Sequence, residues 1–161
     1  VEQLLLEGQL DALIYPDLPK TFLAGHPNIV RLFTNYKEEE IAYFKKTGIF
    51  PIMHTVVMKT SVLERYPWAA LSVLKAFRQS KEDAWTRLKD PRTVSLAWLR
   101  ELIEEERAIL GPDPWPIGIE PNRKALETLI RYSKNQGMLR DSVTVEELFY
   151  ASTLEEYPDY V

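Results

Sequence analysis

Trp68, Leu71, Leu74 and Phe77 recur every third residue along the middle of the chain, a spacing that places them on one side of a helix and predicts a packing face there. The same periodicity predicts a helix over residues 35–46, where Asn35 and Glu38 stand at capping-box spacing, and a short one from Thr60 or Ser61 to about residue 66. Pro67 can open the next helix, which runs towards Leu88 until Asp90-Pro91 breaks it. Further helices are expected over residues 95–110, closed by Gly111, and over residues 123–136, closed by Gly137. Thr144 and Glu147 form a capping box for a last short helix through Phe149. The polar and aromatic tail from Ala151 is expected to lie against the surface. Residues 1–9 read as the end of an amphipathic helix, with Gly8 near its carboxyl end.

Other apolar runs are short, and the one over residues 55–58 is β-branched. Residues 12–15 read as a buried strand closed by Pro16, and residues 29–33 are apolar around Arg31. His54 to Met58 alternates as a strand does, behind a stretch in which Gly48 can end the preceding helix and Pro51 stiffens the chain. That arrangement holds His54 at a strand mouth. At least five helices against two or three strands imply an α/β fold whose sheet takes further strands from sequence outside these residues, because sheets usually hold about 5–6 strands. The expectation is a partial unit prone to associate, which leaves a homo-oligomer open.

Composition narrows the classes. The 161 residues carry a net charge of −4 with acids and bases interleaved, so no basic block points to nucleic acid. No apolar stretch approaches the roughly 20 residues of a bilayer span, and residues 1–4 show neither a basic nor an apolar targeting region. Cysteine is absent, which removes disulfides, thiolate ligands and a cysteine nucleophile. The two histidines, His26 and His54, are far apart, and no short-spaced His and carboxylate motif suggests a metal. Glu104, Glu105 and Glu106 are consecutive on a helix and therefore diverge, which makes them a solvated face. No glycine-rich phosphate loop or nucleophile elbow is present, so no cofactor is expected.

Two longer stretches carry a resemblance: Tyr43-Phe44-Lys45-Lys46-Thr47-Gly48-Ile49-Phe50-Pro51-Ile52-Met53-His54, and Trp115-Pro116-Ile117-Gly118-Ile119-Glu120-Pro121-Asn122-Arg123-Lys124-Ala125-Leu126-Glu127. Together with Leu6-Glu7-Gly8-Gln9-Leu10-Asp11-Ala12-Leu13, Arg31-Leu32-Phe33 and Val145-Glu146-Glu147-Leu148-Phe149, they resemble the 4,5-dihydroxyphthalate decarboxylase family. The resemblance runs nearly end to end and covers about the carboxyl-terminal half of that family's length. It implies a type 2 periplasmic-binding-protein-like fold in which two α/β lobes close over a ligand. Residues 1–28 would then end one lobe and cross over, and residues 29–161 would return into the other lobe with the terminal helices. Ile117 departs from the pattern, since an aromatic residue, commonly tyrosine, is expected within that Trp-Pro-x-Gly motif.

The chemistry that the resemblance implies needs a proton shuttle and a cationic clamp. Histidine titrates near neutrality, and His54 is better placed than His26, which is expected to be solvated. Glu120 could orient a histidine or accept a phenolic proton. Arg31 and Arg123 are the candidate carboxylate clamps, because a guanidinium can grip a carboxylate with two parallel bonds. Asn122 is read first as a helix cap and second as a donor to substrate, and Trp115 could stack on an aromatic ring or simply pack. The leading expectation is a cytoplasmic, cofactor-independent decarboxylase acting on a small hydroxylated aromatic carboxylate. The alternative is a periplasmic solute-binding protein of an ABC transporter that holds a carboxylate or aromatic ligand unchanged, and a third is a catalytically silent interaction domain.

Overall fold

The computed structural model describes residues 1–154, so the tail from residue 155 onward lies outside the described residues. The chain divides into two units, Val1–Lys45 and Lys46–Val161. In the first, α1 (Glu2–Leu6) ends where Gly8 takes a φ of 68°, the left-handed conformation expected of a glycine stop. A second short helix, α2 (Lys20–Leu23), follows Pro19. The backbone N–H and the hydroxyl of Thr21 both donate to Glu2 Oε1, at 2.6 and 2.5 Å, tying α1 to the start of α2. Those bonds, the hydroxyl's first, hold the Glu2 carboxyl below its ordinary pKa. Helix α3 (Tyr36–Thr47) opens beside Asn35, whose side-chain amide donates to Glu39 at 3.0 Å. None of these three helices buries a residue.

The second unit contains α4 (Thr60–Arg65), the 20-residue α5 (Ala69–Leu88), α6 (Leu99–Leu110), α7 (Arg123–Asn135) and α8 (Val145–Leu148). Single 3₁₀ turns occupy Glu120–Asn122 and Ala151–Thr153, the latter packed on α5. Local signals set these boundaries. Gly111, at φ 99°, ends α6, and the Thr144 box is complete: Thr144 accepts from the Glu147 N–H, and the Glu147 carboxylate accepts from the Thr144 N–H and hydroxyl. Its core is Ile119, Leu126 and Val145, with Ile52, Ile130, Phe149 and Leu154 packed around them. Leu63 and Ala70 are also buried, one on α4 and one on α5, which touch.

Two expectations change. Residues 12–15, 29–33 and 55–58 are not strands, and no strand occurs among the described residues. A strand is a pairing rather than a propensity, and a β-branched run without a second edge alongside it cannot form a ladder. Val57, in the middle of the third run, is 87% exposed. The described residues are therefore helix-rich and carry no sheet. The face of α5 is also turned from the one expected: Leu71 and Leu74 are half-buried, but Trp68 and Phe77 are exposed, and Arg78, Lys81 and Trp85 take inward positions. No helix among the described residues is long and apolar enough to cross a membrane.

Candidate functional site

The two longer stretches singled out in the sequence meet. Helix α3 stops at Thr47 and Gly48 turns the chain with a φ of 64°. The Ile49 N–H then donates to the Thr47 hydroxyl at 3.1 Å. From α7, the Lys124 ammonium donates to the Thr47 carbonyl. Phe50 presents its ring to Trp115 in an edge-to-face contact, centroids 4.8 Å apart and planes at 87°. Ile52 continues into the core cluster of Ile119, Leu126 and Val145. Loop 47–54 and loop 111–122 are thus stitched by one aromatic pair, one lysine and a shared apolar anchor.

The second loop is held in shape by side chains on two helices. Lys81 of α5 donates to Asp113 at 2.5 Å and to the Trp115 carbonyl at 2.7 Å. Asn122 uses its side-chain amide to donate to the Pro116 carbonyl at 2.8 Å and the Gly118 carbonyl at 2.9 Å. It makes no side-chain cap to α7, which corrects the first reading of Asn122. The Pro116 and Gly118 carbonyls have no backbone donor among the described residues, so the amide goes to them. Gly118 has a φ of 124°, a conformation that side-chain-bearing residues rarely adopt, and a Cβ built there would lie 3.4 Å from Arg78 Nη2.

Beside this loop is an ion cluster. Arg123 contacts Glu120 at 2.5 Å and Glu146 at 2.8 Å, with Glu127 at 3.9 Å. Glu120, and then Glu146, hold the guanidinium more firmly protonated than usual. Arg123 in turn keeps the Glu120 carboxyl below its ordinary pKa, and Glu146 is lowered first by its own backbone N–H and then by Arg123. Both carboxylates are consequently weaker bases than free ones.

The candidate residues are therefore not all assembled. Trp115, Glu120, Asn122 and Arg123 share one loop and helix start, whereas the hydrogen bonds of Glu120 go to Arg123 and do not orient a histidine. His54 is exposed four residues beyond Phe50, in a segment without regular secondary structure, and makes no hydrogen bond or ion pair among the described residues. Arg31 belongs to the first unit, where its guanidinium lies over Tyr36 at 4.5 Å and Phe22 at 5.2 Å. His26 is half-buried rather than fully solvated, and its Nδ1 accepts from the Asn28 N–H at 3.3 Å. Phe50, Arg78, Lys81 and Lys124 were not singled out by sequence. Only Phe50 and Lys124 sat within a quoted stretch, and the other two depend on how α5 faces the loop.

A protein of Comamonas testosteroni described as 4,5-dihydroxyphthalate decarboxylase is 29% identical to this chain over 159 residues, which cover 98% of the chain and 48% of that relative. The two are distantly related, and the chain spans about half the length of the curated relative it matches. No family model matches the chain.

Proposed function

We propose that this chain is part of a decarboxylase-like protein acting on a hydroxylated aromatic carboxylate, of which 4,5-dihydroxyphthalate is the first candidate. The observation that carries the reading is the junction itself: the two stretches that resemble the decarboxylase family pack together through Phe50 and Trp115, with cationic side chains along the same loops. An aromatic pair beside cations suits a flat anionic ring. In this reading the junction is one wall of a cleft in a cytoplasmic, two-lobed α/β protein. Residues 12–15, 29–33 and 55–58, which are not strands among the described residues, would need partner strands from the rest of such a protein to join a sheet.

The chemistry is a proton-for-carbon-dioxide exchange. A ring hydroxyl para to the departing carboxylate, once deprotonated, pushes its electron pair into the ring, and the carboxylate-bearing carbon takes up a proton. The carbon–carboxylate bond then breaks, carbon dioxide leaves, and the bonding pair restores the aromatic ring. From 4,5-dihydroxyphthalate the product is 3,4-dihydroxybenzoate. His54 is proposed as the proton donor and Glu120 as the group that accepts or orients the phenolic proton. Trp115 offers a stacking surface, and Asn122 sets the loop that presents it. Arg31 remains a candidate clamp, whereas a substrate carboxylate at Arg123 has to compete with Glu120 and Glu146.

A solute-binding role without turnover is the second reading, and it is favoured by the lack of any orienting partner for His54 among the described residues. One experiment separates the two. Full-length protein is incubated with 4,5-dihydroxyphthalate while carbon dioxide release and ligand binding are both followed. Release with formation of 3,4-dihydroxybenzoate supports the enzyme, and binding with no release supports the solute-binding protein. Neither binding nor release would refute both.

A further inference from the structure

Three cationic side chains approach the junction between loops 47–54 and 111–122, and two of them have fixed duties. Lys81 holds Asp113 and the Trp115 carbonyl, and Lys124 holds the Thr47 carbonyl. The third, Arg78, lies one turn before Lys81 on α5, so the two share a face. Its residue is half-buried. Its Nη2 lies against Gly118, at a spot where a Cβ would be 3.4 Å away. Yet Arg78 makes no hydrogen bond, ion pair or ring contact among the described residues. Glu120, the acid closest to Gly118 along the chain, is bound to Arg123 instead. The Gly118 carbonyl is already taken by Asn122.

The Arg78 guanidinium keeps donors that no described group of the protein meets, and a planar anion is the group that best satisfies its fork. We infer that Arg78 is the carboxylate-binding residue of this junction, receiving an aromatic carboxylate whose ring lies towards the Phe50–Trp115 pair. Gly118 matters to this assignment because it leaves the guanidinium unobstructed and, with a positive φ, admits no ordinary side chain. Arg123, the arginine that the sequence offers first, is saturated by two carboxylates, whereas Arg78 is not. The assignment rests on the aromatic-carboxylate reading above and adds the residue that recognises the carboxylate.

The test is titration calorimetry of the full-length protein with phthalate, benzoate and the neutral isostere benzamide, comparing wild type with Arg78→Gln, Arg78→Lys and Arg123→Gln. Loss of a charge-assisted pair should weaken phthalate and benzoate about 10-fold or more in Arg78→Gln and leave benzamide within about twofold. Arg78→Lys keeps the charge without the fork and should fall between. Because it conserves the charge and most of the aliphatic stem, it carries the test if the Gln variant loses its helical circular dichroism. Carboxylate affinity unchanged in both Arg78 variants, or lost equally for benzamide, would overturn the assignment while leaving the aromatic-ligand reading intact. Carboxylate binding lost only in Arg123→Gln would overturn it in favour of that arginine. Wild-type protein that binds none of the three ligands would instead refute the reading on which the assignment rests, and the assignment with it.

Discussion

Asn122→Ala and Asn122→Asp, taken together, decide what the Asn122 amide does. In the structure it donates to two loop carbonyls, Pro116 at 2.8 Å and Gly118 at 2.9 Å, and caps nothing. A neutral hydrogen bond contributes about 0.5–1.5 kcal/mol net. Both bonds are only part-buried, so the freed carbonyls can recover some hydration, and the Ala variant should lose about 1.5 kcal/mol in all. For a chain of this size that lowers the melting temperature by about 3–6 °C. Aspartate is the sharper probe. As a helix N-cap it is as good as asparagine, so a capping role predicts no loss. As the donor to two carbonyls it fails, because an ionised carboxylate has no N–H to give and its oxygens would face theirs. Asn122→Asp should therefore be at least as destabilised as Asn122→Ala. Urea unfolding followed by circular dichroism, with slopes compared so that a midpoint shift reads as stability, measures both. An aspartate variant as stable as wild type would refute the loop-tying role and restore the cap.

Leu126→Ala removes a side chain from the core cluster with Ile119 and Val145 and should cost about 2–3 kcal/mol in the same unfolding assay. A neutral outcome would mean that this cluster does not hold the second unit together. Gly118→Ala places a side chain at φ 124° and beside Arg78. It should destabilise by about 1 kcal/mol or more and weaken phthalate binding, so wild-type calorimetry from this variant would count against the proposed role of that position. Glu120 and Glu146 titrate below their ordinary value of 4.5 in the folded chain. Their stabilisation is thus present above the unfolded carboxylate pKa and lost as pH falls through the depressed folded values. The double variant Glu120→Gln, Glu146→Gln should show a shallower loss of stability below that value in acid-denaturation curves, and an identical slope would discount the cluster. His54→Ala, exposed and unbonded, should keep the fold while lowering turnover of 4,5-dihydroxyphthalate about 10²-fold; an unchanged rate and pH profile would remove it from the chemistry.

The sequence by itself determined what closes within a few residues. A helical hydrogen bond spans four residues, so caps and stops can be read locally: Thr144 and Glu147 form their box, and Gly8, Gly48, Gly111 and Gly137 all take the positive φ of a turn out of a helix. Most helix ends fall within a few residues of the expected ones for that reason. The aromatic residues of the site were also visible, because Phe50 and Trp115 lie within the two stretches that stood out. Everything that depends on a second segment was decided by tertiary structure. Residues 55–58 have the side chains of a strand but no edge beside them, and β propensity has no effect without a partner. The α5 helix offers a regular apolar stripe, yet Trp68 and Phe77 stay in water while Arg78 and Lys81 turn towards loop 111–118. Asn122 stands in the right place to cap α7, but its side-chain amide donates to two loop carbonyls and no cap bond forms. Arg123 and Arg78 are both arginines on helices, and locally the first differs by the pair it makes with Glu120 three residues earlier. Folding added Glu146 to the first and set Gly118 beside the second, and that difference in neighbours makes one a structural cation and the other a candidate to receive a ligand.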